Sequence, residues 1–182
     1  MSTTAPAATS YSVNRLTVDV PAAPEEFRRQ YEQAVPPVPM EAVNALVARG
    51  APWSEMAGLI DKAAPSGFLI YWRLDLHPVM GLAGDAAQGI SYLMGNHILA
   101  ERMYRHQPAV MLYAPLHTMI WQSPGGGTHF TFDRPSDQFG SFGTPQITQV
   151  GTELDKKLAA LLEHLGLDVP SQLTANGRGK GE

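Results

Sequence analysis

The sequence predicts a two-layer α/β sandwich of the α+β kind, with one mixed sheet and helices packed on one of its faces. Three observations predict it. Short runs with apolar residues at every second position are interspersed with runs whose apolar residues recur every three or four. Apolar types make up 44% of the 182 residues, enough to build a core. The stretch from Ile147 to Leu165 is the strongest amphipathic pattern in the chain and needs a surface to lie on.

The elements follow in order. Leu16–Val20 alternates and is β-branched, a strand. Pro24-Glu25-Glu26 opens a helix, with Pro and acids in its first turn and Phe27, Tyr31 and Ala34 on one face. The prolines of Val35–Pro39 end it. Met40–Arg49 is a second helix stopped by Gly50, and Ser54 is read as the cap of a third. Phe68–Leu76 is read as a strand with Phe68, Ile70, Trp72, Leu74 and Leu76 on one face. A Gly- and Ala-rich loop leads to a short strand at Ile90–Met94. Asn96 then caps a helix over His97–Gln107. Val110–Tyr113 is read as another strand, interrupted at Ala114-Pro115.

Leu116–Gln122 and Thr128–Asp133 form a hairpin around Ser123–Gly127. With Gln122 opposite Thr128, one face carries Leu116, Thr118, Ile120, Phe130 and Phe132. The other sets His117 across from Asp133, Met119 from Thr131, and Trp121 from His129. Thr144-Pro145 starts the last helix, and Gly166 stops it. Residues 1–10 and 171–182 read as disordered tails flanking a single domain over 11–170.

Thirteen Lys and Arg against seventeen Asp and Glu give a net charge of −4. That balance, with no basic block, argues against nucleic acid as a partner. The lack of cysteine removes disulfides, thiolate metal sites and cysteine nucleophiles. No run approaches a membrane span and no signal peptide is visible, so the expected location is the cytoplasm.

Several residue sets could carry chemistry. Gly95, Asn96 and His97 join a strand to a helix start, where free N–H groups could meet a ligand; the plainer role is a tight turn and a cap. His117 facing Asp133 could be a general base whose tautomer the carboxylate sets, or simply a polar cross-strand contact. Trp121 and His129 share that face. Arg73 could hold a carboxylate ligand or pair with Asp75. His97, Glu101 and His106 are weak metal candidates without a third ligand nearby in sequence. His97, His106 or His117 could also serve as an axial ligand to non-covalent haem.

From Ile90 onward the chain resembles the domain of unknown function 302 family. The resemblance rests on ISYLM followed by Gly95-Asn96, the helix ILAERMYRH, the strand VMLYAPLHTMIW, the Gly-rich hairpin, THFTFDRPSDQF and the closing helix. Asp133-Arg134-Pro135 stands at the family's Asn/Asp-Pro-like stretch, and Leu74-Asp75-Leu76-His77 is similar to its Ile-Asp-His segment. The departures are His97 for the proline after Gly-Asn, Ala114-Pro115 for Leu-Pro, and a longer, more helical region 35–66. The resemblance implies a compact, dimeric two-layer domain. It supplies no catalytic residues, because the family has no established general activity.

The expected protein is therefore a homodimer binding a small, partly apolar ligand on or beside the sheet. The alternatives are a haem- or metal-dependent enzyme using a histidine ligand, and a structural dimer without ligand.

Overall fold

The structure is a computed structural model and describes residues 8–174. Five strands form one sheet in the order β1-β5-β4-β3-β2: β1 (Arg15–Val20), β2 (Leu69–Asp75), β3 (Gly89–Gly95), β4 (Leu116–Gln122) and β5 (Thr128–Asp133). Every ladder is antiparallel, which corrects the expected mixed sheet; a lone bridge between Pro37 and Ile70 is parallel. The helices are α1 (Pro24–Ala34), α2 (Met40–Ala48), α3 (Trp53–Ala63), α4 (His77–Met80), α5 (His97–Tyr104), α6 (Pro135–Gly140), α7 (Pro145–His164) and α8 (Ser171–Thr174). Among them, none is long and apolar enough to cross a membrane.

Side-chain alternation decides which face is covered. In β1 and β5 every second residue is buried, and in β4 Leu116, Thr118 and Ile120 are. These residues meet Phe27 and Tyr31 of α1 and the apolar stripe of α7, including Ile147, Val150, Leu154 and Leu158. Phe27 and Tyr31 both pack rings against Phe130, with centroids 5.9 and 5.3 Å apart. Each such side chain contributes roughly 1.5–3 kcal/mol by leaving water. The Tyr31 hydroxyl, wholly buried, is satisfied by Thr118 Oγ1 and Met94 Sδ. A smaller cluster of Val43, Ile60, Ala64 and Leu69 joins α2 and α3 to the start of β2.

The hairpin has the expected register, with Gln122 opposite Thr128 and Trp121 opposite His129. Strand β2 departs from expectation. Its register against β3 shifts between Ile70 and Trp72, leaving Tyr71 as the extra residue of a bulge. Ile70 and Arg73 pair with Met94 and Tyr92, while Trp72 and Leu74 pair with Leu93 and Ser91. The bulge reverses the alternation, so Ile70 no longer shares a face with Trp72 and Leu74.

Other corrections are local. Pro52, extended, precedes α3, and Ser54 lies inside its first turn without a capping bond. The expected strand at Val110–Tyr113 is part of a 3-10 turn over Pro108–Leu112, started by its proline. Ser171–Thr174 is helical and Leu173, 3% exposed, joins the core, so the expected C-terminal tail starts too early. The remainder of that tail and residues 1–7 lie outside the described residues.

Candidate functional site

The turn Gly95-Asn96-His97 lines a pocket of about 190 Å³. Asn96 is extended and caps α5, its Oδ1 accepting from the N–H groups of Ile98 and Leu99 while Nδ2 donates to the Gly67 carbonyl. Gly95 permits a close approach: a Cβ there would stand 3.3 Å from Pro115 Cβ and 3.4 Å from its Cα. Pro115 and Leu116 supply one wall of the pocket. Leu99, Ala100 and Met103 of α5 supply another, and Phe139 of α6 and Leu154 of α7 supply more.

Besides Asn96, which is committed to backbone groups, one polar pair breaks this apolar lining. The Tyr71 hydroxyl lies 2.6 Å from His97 Nδ1, and the two rings meet at 5.0 Å. The β2 bulge supplies Tyr71, and the first turn of α5 supplies His97. Burial lowers the His97 pKa below that of a free histidine. Burial also raises the Tyr71 pKa, opposed by a hydrogen bond from the His97 backbone. Both groups are therefore neutral near pH 7, and Tyr71 can donate to an unprotonated Nδ1. A neutral imidazole and a phenol hold two mobile hydrogens between them. One is used within the pair, and one remains to donate elsewhere.

The other expected residues lie apart. His117 turns away from Asp133: its Nε2 is 2.6 Å from Ser91 Oγ on β3. Asp133 instead meets Gln138 Nε2 at 3.5 Å and Arg15 Nε at 3.8 Å. The expected His117–Asp133 base pair is thus not assembled, because Ser91 lies within reach on the neighbouring strand. His129 takes Asp19 as its partner at 2.9 Å and stacks on Trp121 at 4.6 Å, while the Trp121 indole donates to Thr131 Oγ1. Trp121 lies five residues along β4 from Leu116 at the pocket, about 17 Å at strand rise. The two halves of the expected site are therefore separate places.

Arg73 donates to Glu32, which also accepts from the Tyr92 hydroxyl, so the expected Arg73–Asp75 pairing gives way to α1. Glu101 is occupied by Arg105. Among the described residues no group of three His, Cys, Asp or Glu could hold a metal ion. Haem does not fit at His97: the pocket is smaller than the roughly 300–1,000 Å³ of drug-sized sites, and a macrocycle needs more. His106 and His117 are exposed and lie outside this pocket.

A larger groove of about 1130 Å³ runs between α1, α3 and α7 and opens broadly to solvent. Polar side chains such as Gln30, Gln33, Asp61 and Lys157 line it, without a polar pair set in an apolar surround. Sequence reasoning found the Gly95-Asn96-His97 turn but missed Tyr71, whose position depends on the bulge.

A family model for "Domain of unknown function DUF302" matches residues 55–165. A crystal structure of an uncharacterized conserved DUF302 protein from Bacillus stearothermophilus has the same fold, with a TM-score of 0.59 at 18% identity. The match covers 83% of this chain and 97% of that one. Comparison with curated proteins gives no match.

Proposed function

Because the chain belongs to the DUF302 family, which has no assigned activity, we propose a function from its own geometry: it binds a small, partly apolar ligand in the pocket beside Tyr71 and His97. One observation carries this reading. A pocket of about 190 Å³ is lined by apolar side chains around one hydrogen-bonded polar pair, with the third polar side chain, Asn96, taken up by backbone groups, the pattern of a site that desolvates a ligand and orients it at one point. The test is ligand-detected NMR with a panel of neutral one-ring fragments. Wild type is expected to bind, and Ala100→Phe, which places a ring in the pocket, is expected to lose binding without losing its fold. Binding that is absent in wild type, or undiminished in Ala100→Phe, removes the proposal.

A second reading concerns the outer sheet face, where Trp72 and Leu74 are 45% and 40% exposed on neighbouring positions. They share that face with Leu93, Met119 and Trp121, while Arg15, Asp19 and Asp133 lie at its β1–β5 side. An apolar strip with a charged margin is the anatomy of a protein interface, and a second copy across a two-fold axis is the occupant we propose. Native mass spectrometry reads the subunit count directly; a monomer at micromolar concentration removes this reading. The proposed location is the cytoplasm, in keeping with the acidic charge balance of the sequence. Cell fractionation checks it.

A further inference from the structure

We infer that the pocket selects an uncharged, one-ring molecule bearing a single oxygen function, of which phenol is the simplest case; this rests on the pocket reading proposed above. Size sets the first limit. An apolar cavity of about 150 Å³ holds benzene, and this one, at about 190 Å³, has room for a ring and one substituent. Charge sets the second. Among the described residues no Lys, Arg, Asp or Glu lines the pocket, so a carboxylate or an ammonium would be desolvated there without a counter-ion.

The polar anchor sets the third. Asn96 is committed to the two N–H groups of α5 and to the Gly67 carbonyl. The Tyr71–His97 pair keeps one hydrogen to donate, whichever partner carries it. A ligand oxygen that accepts this hydrogen satisfies the pair, and the ring lies against the apolar wall formed by Leu99, Met103 and Phe139. A hydrocarbon of the same size gains the wall but leaves the donor unsatisfied when it displaces water.

The experiment is isothermal titration calorimetry of the full chain near pH 7.5 with phenol, toluene and benzoate as probes. Phenol is expected to bind about ten-fold more tightly than toluene, the effect of one hydrogen bond, and benzoate more weakly than either. In the double variant Tyr71→Phe/His97→Leu both partners become apolar, which keeps the packing. There phenol should fall to the level of toluene, and toluene should stay within about two-fold of wild type. Equal wild-type affinities for phenol and toluene overturn the inference and leave the pocket reading standing. So does a phenol advantage that survives in the double variant, or benzoate binding as tightly as phenol. Should the double variant lose toluene as well, the wild-type ranking of the three probes decides. Failure of all three to bind, together with no effect of Ala100→Phe on any fragment, removes the pocket reading itself.

Discussion

The hydroxyl of Tyr71 and Nδ1 of His97 lie 2.6 Å apart, joining the bulge of an edge strand to the first turn of a helix. Removing the hydroxyl takes away this bond and leaves a half-buried ring nitrogen to find water. Tyr71→Phe is expected to lower stability by about 1 kcal/mol, read as a shift of the urea midpoint at unchanged slope. An unchanged midpoint would mean that solvent replaces the bond at no cost.

The same pair gives an acid limb to stability. His97 titrates below its unfolded value of about 6.5 because burial disfavours its charged form. Below pH 6.5 the unfolded chain takes up a proton that the folded chain refuses, so the unfolded state gains. Stability is therefore expected to fall as pH drops through about 6.5 and towards the folded pKa, by at most about 1.4 kcal/mol per pH unit from this residue. His97→Asn should flatten the limb relative to wild type; parallel curves for the two proteins would assign it to other histidines.

Gly151 presents a competition of opposite signs. In a helix interior alanine is favoured over glycine by about 1 kcal/mol. Here a Cβ would come within 3.1 Å of Ser136 Cα and of Phe139 Cβ, where α6 crosses α7. A backbone atom cannot step aside as a flexible side chain does, and overpacking costs about 1–3 kcal/mol. Gly151→Ala is expected to destabilise in thermal melts; a higher Tm would show that α6 shifts freely.

Asp155 is 2% exposed and accepts from Arg134 Nε at 3.0 Å and from the Ser136 N–H at 2.9 Å, tying α7 to the start of α6. Its deletion leaves the part-buried Ser136 N–H without this acceptor and takes one carboxylate from Arg134, which also has Asp137 at 3.5 Å. Asp155→Ala is expected to cost about 3 kcal/mol by chemical denaturation. A loss under 1 kcal/mol would show that water or Asp137 takes over both bonds.

For the proposed dimer, Trp72→Glu places a charge on the outer face without disturbing the core, since Trp72 is already half exposed. The expected result is a monomer in light scattering with an unchanged circular dichroism spectrum. A dimer that persists would place the interface elsewhere.

Much of the fold was legible because the signals are local. Alternation along Leu116–Gln122 and Thr128–Asp133, with a turn between them, suffices to set the hairpin register. The stripe from Ile147 to Leu162 likewise announces the buried face of α7. Where the reading missed, a distant partner had intervened. Strict alternation groups Trp72 and Leu74 with Ile70 because it cannot register a bulge. The cross-strand rule sets His117 against Asp133 because it names the residue opposite and ignores Ser91 on the other side.

The sequence by itself determined the number of layers, most of the strands and helices, and the turn at Gly95-Asn96 that borders the pocket. Each of these follows from periodicity or from a cap within a few residues. Tertiary structure alone decided that Tyr71 meets His97, and that Pro115, Phe139 and Leu154 close the walls around them. No spacing rule links positions 71, 97, 115, 139 and 154. Their meeting depends on how a bulged strand, a capped helix and the long α7 pack together, and packing free energy belongs to the assembled core rather than to any one segment.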